Sequence, residues 1–156
     1  MSLTKKAPEF NLQDQDGKYH SLNDYAGKWL VVYIYPKDGT PGCTKEACSF
    51  RDGRDLLAQL GAEVVGISKD SVESHNKFHS KHGLNHTILS DLNGETIKNF
   101  QSLKTKKIMG KEFTSVSRDT FIINPSGEIV KRYMGVNPIT HFVKVFEDLK
   151  KLVSLE

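Results

Sequence analysis

The stretch from Trp29 to Ile67 does most to limit what this chain can become. Trp29-Leu-Val-Val-Tyr-Ile-Tyr35 is apolar at every position. A strand wet on one face alternates, so an unbroken run reads as a strand buried on both. Val64-Val-Gly-Ile67 is a second such run. Between them Cys43, Ala47, Phe50, Leu57 and Gly61 recur on one helical face, and Gly61 reads as the stop. Strand, helix and strand in this order make a βαβ unit, which predicts two parallel strands.

The rest of the chain adds elements around that unit. Phe10 to Leu22 reads as a hairpin, with Asp16-Gly17 as a two-residue turn. Asp14 and Asp16 before Gly17 resemble part of a calcium loop. Leu12 and Asn23 occupy the places of its first and last ligands, which excludes calcium. Asp70-Ser-Val-Glu73 supplies caps for a helix running to about His82, before Gly83. Thr87–Leu89 reads as a short strand, Asn93–Phe100 as a short helix, and the lysine-rich Gln101–Ser117 as a long loop or an edge hairpin. Thr120–Ile123 and Glu128–Met134 pair antiparallel around an Asn124-Pro-Ser-Gly127 turn. Asn137 is expected to cap a last helix with Pro138 at its first position and Ile139, Phe142, Phe146, Leu149 and Val153 as its apolar stripe. The expected architecture is α/β: a mixed central sheet flanked by helices on both faces, with an N-terminal hairpin, in one domain over residues 1–156.

Charge and length narrow the function. With 22 basic and 19 acidic residues, a net charge of +3 is too balanced to point to nucleic acid. No apolar stretch approaches the ~20 residues of a membrane helix. Met1-Ser-Leu-Thr-Lys-Lys-Ala-Pro8 has no signal-peptide core, so a cytoplasmic location is the expectation. Two cysteines in a reducing compartment are poor candidates for a structural disulfide; redox-active, reactive or simply buried thiols are the remaining readings.

Both cysteines lie in Pro36-Lys-Asp-Gly-Thr-Pro-Gly-Cys-Thr-Lys-Glu-Ala-Cys48. Cys43 falls where the loop after the first strand opens into the helix. Unpaired first-turn N–H groups and the helix dipole favour an anion there, as a thiolate nucleophile requires. A loop with Gly39, Pro41 and Gly42 is also an odd place to bury a thiol for packing alone. Cys48 is five residues on. On a regular helix that is ~7.5 Å of rise and ~140° of rotation, or ~8.7 Å between Cα atoms. A disulfide needs about 7 Å or less, so the cysteines can bond only if the first turns unwind. Cys48 is then either a resolving thiol that works through local unfolding or a bystander. Two cysteines are too few for a structural zinc site, and the spacing is longer than Cys-x-x-Cys.

Pro36-x-x-x-Thr40-x-x-Cys43 resembles the active-site signature of the peroxiredoxins, and Gly39-Thr-Pro-Gly-Cys-Thr-Lys-Glu-Ala-Cys48 resembles their bacterioferritin comigratory protein, or peroxiredoxin Q, branch. Ala7-Pro-Glu-Phe10, Ser74-His-x-Lys-Phe78, Leu89-Ser-Asp91, Gly110-Lys, Arg118-x-Thr-Phe-Ile-Ile123 and Gly127 extend the likeness over nearly the whole chain. Ser117-Arg-Asp-Thr120 departs slightly from the family's more usual Glu-Arg-Ser-Thr but keeps Arg118. The resemblance implies a thioredoxin-like fold and a thiol peroxidase without haem, flavin or metal. It implies a peroxidatic Cys43, a Thr40 that hydrogen-bonds thiolate and peroxide, a Pro36 that shields the site and an Arg118 that stabilises charge. It also implies a resolving Cys48, a hydroperoxide substrate and thioredoxin or a similar dithiol as reductant. A resolving cysteine in the same chain allows a monomer or weak homodimer. A competing reading from another class is a peroxide-responsive sensor or binding module built on the same Cys43–Cys48 switch.

Two further groups read as surface. His75, His79 and His82 share a helical face at a spacing that could hold a metal, but Lys77 and Lys81 beside them favour a solvated face. Lys104, Lys106, Lys107 and Lys111 read as a solvated basic loop.

Overall fold

In the computed structural model, which describes residues 5–155, the chain forms a mixed α/β structure. The N-terminal leader reading rests in part on Met1–Thr4, outside the described residues. The strands are β1 (Lys5–Lys6), β2 (Asn11–Gln13), β3 (Tyr19–Ser21), β4 (Trp29–Ile34), β5 (Ala62–Ser68), β6 (Thr87–Ser90), β7 (Leu103–Ile108), β8 (Lys111–Val116), β9 (Asp119–Ile123) and β10 (Glu128–Tyr133). The helices are α1 (Pro41–Gln59), α2 (Val72–His82), α3 (Glu95–Asn99) and α4 (His141–Ser154).

Eight strands join in the order β1-β10-β9-β4-β5-β6-β2-β3. β4 runs parallel to β5, with Val31 opposite Val64 and Tyr33 opposite Gly66, as the βαβ reading requires. β9 lies antiparallel on the other side of β4. β4 is central and every residue in it is buried. Its alternate side chains enter two cores. Leu30, Val32 and Ile34 pack with Phe10, Ile97, Phe100 and Phe121, while Val31, Tyr33 and Tyr35 pack with Phe50, Leu57 and Leu149. Helices α1 and α4 cover the second face, and Gly53 sets their closeness: a Cβ there would overlap the Phe142 ring. The short α3 lies on the first face through Ile97.

Three expectations change in detail. The hairpin turn is longer than two residues. Gly17 N–H donates to the Asp14 carbonyl and Asp14 N–H to the Lys18 carbonyl, and Gly17 takes φ +81°, which gives a three-residue loop ending in a left-handed glycine. The Gln101–Ser117 segment is a hairpin, β7–β8, forming a separate two-stranded sheet with its lysines exposed. The last helix starts at His141 rather than Pro138: Asn137 Oδ1 accepts from Ile139 N–H in a turn ahead of it. Ile139 is therefore exposed, Leu149 is the fully buried residue of the expected stripe, and Val145, outside that stripe, is fully buried as well.

The core also holds neutral histidines. His86, 3% exposed, bonds Tyr33 Oη at 2.7 Å, and burial pushes its ring down to about 3. His141 bonds Thr120 Oγ1, and burial, aided by the Arg118 charge, takes it down to about 4. A histidine held neutral in the fold contributes stability that is complete above its unfolded value near 6.5. That contribution is lost as pH falls toward the folded value, because the unfolded chain binds the proton first. The His86 contribution lost between pH 7 and pH 4 is about 3 kcal/mol. In urea unfolding at the two pH values, His86→Gln should lose less stability than the parent by about that amount. Equal losses would contradict this assignment. No helix of the described residues is long and apolar enough to cross a membrane.

Candidate active site

The loop Tyr35–Thr40 leaves the buried end of β4 and turns into α1. Thr40 is the N-cap, Pro41 occupies the first helical turn, and Cys43 follows. Cys43 is 1% exposed and packs among Tyr35, Phe50 and Val145, yet its sulfur is not left to apolar neighbours alone. Arg118 Nη2 donates to Cys43 Sγ at 3.2 Å, bringing together residues 75 positions apart. A guanidinium has no acceptor, so this contact places fixed positive charge on the sulfur. The loop approaches closely here: a Cβ on Gly42 would stand 3.2 Å from Arg118 Nη2 and 3.6 Å from Pro138.

Arg118 is held from two sides. Its Nη1 donates to Glu46 Oε1 at 2.9 Å. Glu46 is 1% exposed, and its Oε2 has no partner among the described residues. Burial pushes its carboxyl up to about 7 against the opposing pull of Arg118. On the backbone side, the Arg118 carbonyl accepts from Val136 N–H. The neighbouring Asp119 is fully buried and accepts from Ser102, Ser117, Arg132 and the Gly135 N–H. Burial alone would raise the Asp119 carboxyl, but these donors outweigh it and hold it below its usual value.

The other expected site residues sit nearby in different states. Cys48 is half-buried on α1, outside the cluster that holds Cys43; both thiols are free, and the helix between them is unbroken. Thr40 Oγ1 donates its one proton to the Lys37 carbonyl at 3.0 Å, so donation to sulfur requires that bond to exchange. Pro36 is exposed directly after Tyr35.

Sequence reasoning missed Glu46, although its spacing of three from Cys43 puts it on the same buried face. It also misplaced His75. His75 is fully buried, with Nδ1 2.6 Å from Asp38 Oδ2 and Nε2 3.0 Å from the Leu89 carbonyl. His79 bonds the His86 carbonyl, and His82 lies edge-on to Phe78. Helix α2 has few apolar residues, so His75 joins Phe78 on its packed face, while His79 and His82 are half-buried beside it. Among the described residues, Asp38, Asp70 and His75 are grouped closely enough to hold a metal ion, their ligand atoms within 4.8 Å of one another. Tyr35, Ser74 and His75 already occupy the Asp38 carboxylate, and Ser68 and the Asp38 N–H occupy Asp70 Oδ2. A cavity of 340 Å³ between Leu22, Tyr25 and Pro125 lies toward the other end of β4 and contains no cysteine.

The chain resembles known proteins over nearly its whole length. Residues 3–132 match the model of the AhpC/TSA family. The chain is 40% identical over 152 residues to peroxiredoxin Bcp of Bacillus subtilis, covering 97% of each chain. It is 39% identical over 145 residues to peroxiredoxin Bcp of Escherichia coli, covering 93% of each. Its structure superposes on the bacterioferritin comigratory protein of Xanthomonas campestris with a TM-score of 0.90 at 34% identity over 92% of both chains. On peroxiredoxin Q of Xylella fastidiosa the TM-score is 0.87 at 31% identity, over 97% of this chain and 98% of that one. The chain has the thioredoxin-like fold of these proteins and belongs to the AhpC/TSA family, within its Bcp and peroxiredoxin Q branch of peroxiredoxins.

Proposed function

We propose that Cys43 is the peroxidatic sulfur of a thiol peroxidase and that Cys48 resolves it. The observation that carries this reading is the 3.2 Å contact from Arg118 to a Cys43 seated in the first turn of a helix. The Xanthomonas campestris relative, with alkyl peroxide reduction activity, supports organic hydroperoxides as substrates beside hydrogen peroxide. That the relatives are peroxiredoxins supports turnover over one-shot sensing.

The chemistry follows from the geometry. The Cys43 thiolate attacks one oxygen of ROOH along the O–O axis. The O–O bond breaks, sulfur is oxidised to sulfenic acid, and RO⁻ leaves and takes a proton as ROH. The site must align that bond and stabilise charge arriving on the departing oxygen. Arg118 and the first-turn N–H groups supply the charge stabilisation, and Thr40, on releasing Lys37, supplies a further donor. Pro36 screens the mouth of the site. The Cys48 thiolate then attacks the sulfenic sulfur, forming the disulfide and releasing hydroxide. Thioredoxin or a similar dithiol reduces that disulfide by exchange. The whole chain acts as one domain, and a monomer or weak dimer suffices because both cysteines are in one chain.

Arg118→Met should slow the first oxidation about 10²- to 10³-fold, the usual cost of removing one donor from a developing anion. Rapid-mixing kinetics with peroxide measure it, and an unchanged rate would remove Arg118 from the mechanism. The function itself is tested by NADPH consumption in the presence of thioredoxin and its reductase. The expected result is turnover that requires peroxide, thioredoxin and this protein together. Oxidation that does not depend on added thioredoxin would contradict the assigned reductant, and no peroxide reaction would contradict the function.

A further inference from the structure

Closing a Cys43–Cys48 bond requires the first turns of α1 to unwind, and the chain is held differently on the two sides of Gly39. On one side is Asp38. Its carboxylate accepts from Tyr35 Oη at 2.7 Å, Ser74 Oγ at 2.9 Å and His75 Nδ1 at 2.6 Å, and its own N–H donates to Asp70 Oδ2 at 2.9 Å. These partners belong to the end of β4, to α2 and to the β5–α2 loop, and His75 is bonded onward to the Leu89 carbonyl of β6. None of them belongs to α1. On the other side the helix start is weakly capped and is secured instead by the Arg118 bonds to Cys43 and Glu46 and by the Thr44 bond to the Thr40 carbonyl. Thr40 makes no side-chain cap bond, no acidic residue lies in the first turn, and Gly42 is a poor helix former. Helix α2, by contrast, has a Ser71 cap bond and Glu73 in its first turn. Gly39 lies between the two halves at φ +80° with open space around it. Beyond the cysteines, Phe50 is fully buried and fixes the far end.

We propose that the Asp38 bonds hold the chain in the direction from which wound α1 continues, that Gly39 is the hinge, and that these bonds loosen when the first turns unwind, so that Asp38 sets the balance between a wound, peroxide-reactive site and an unwound, disulfide-forming one. Asp38 is a positioning residue, and the inference rests on the roles of Cys43 and Cys48 proposed above. The balance has a chemical readout. In the wound state the Cys43 sulfenate can meet a second hydroperoxide, which transfers one oxygen to sulfur, giving the sulfinate, and leaves as ROH. In the unwound state Cys48 thiolate displaces hydroxide and forms the disulfide. The ratio of the two products reports how often the helix opens before a second peroxide arrives.

Asp38→Asn removes the charge that His75 and Ser74 bind, which weakens the wound state. The peroxide concentration that converts half the protein to sulfinate should rise about five- to tenfold in this variant. Removing the single neutral donor in Ser74→Ala should raise it about two- to threefold. Intact mass across a peroxide series, with thioredoxin turnover running, measures the partition. Circular dichroism melting establishes that each variant is folded at the assay temperature, and if Asp38→Asn is not, Ser74→Ala decides. A merely structural role would lower the melting midpoint and leave the sulfinate threshold where it was, and that result would overturn the proposal. A parent protein that forms no intramolecular disulfide at any peroxide concentration would instead overturn the Cys48 assignment on which the proposal depends.

Discussion

Cys43→Ser should consume no peroxide above the uncatalysed background and oxidise no NADPH with thioredoxin and its reductase. The loss follows from the atom, not from the fold. A serine hydroxyl stays protonated near neutral pH and has no sulfur lone pair to accept an oxygen, so the contact with Arg118 has nothing to activate. The replacement is smaller by a fraction of an atom, at a position where Arg118 already offers a donor to the new oxygen. The variant should therefore melt close to the parent. A folded Cys43→Ser protein that still reduced peroxide would place the nucleophile elsewhere. Cys48 is then the one remaining cysteine of the chain.

Cys48→Ser should separate the two halves of the cycle. Its first oxidation should match the parent in rate, because Cys48 is half-buried and lies outside the cluster around Cys43 Sγ. Turnover with thioredoxin should fall to background after one equivalent. A Cys43 sulfenic acid, heavier by one oxygen, should accumulate and go on to sulfinate with excess peroxide. Equal loss of the first oxidation in both cysteine variants would contradict the division of roles. Continued turnover of Cys48→Ser with thioredoxin alone would demote Cys48 to a bystander.

How much of this was legible in the sequence varies from element to element. The βαβ unit was readable because β4 and β5 are buried on both faces and need no partner information to look like strands. The N-terminal hairpin, α2 with its Ser71 cap, and the β9–β10 pairing were readable from local turn and cap chemistry. The start of α4 was not. An Asx turn at Asn137 and a true helix cap use the same side-chain bond, and only the next four residues separate them. Within the site, Cys43 was legible because position in the chain alone puts it at a helix start. Glu46 shares the helical spacing of that face, but a carboxylate on a buried face is rare and spacing alone does not single it out. The Asp119 and Asp38 networks were beyond reach. Each draws most of its donors from segments distant in sequence, and nothing local to Asp38 announces that Ser74 and His75 will come to it. His75 looked solvated for the same reason: the lysines beside it do point outward, but helix phase turns His75 inward.

The measurement that bears most directly on the account is the intact mass of reduced protein after one equivalent of hydrogen peroxide, followed by mapping of the linked peptides. A Cys43–Cys48 disulfide within one chain is the predicted product, seen as a loss of about two mass units, two hydrogens having left with the water formed. Recovery of the original mass on adding reduced thioredoxin should follow. A stable gain of one or two oxygens on Cys43, or a disulfide joining two chains, would contradict the proposal that these two cysteines of one helix meet during the cycle.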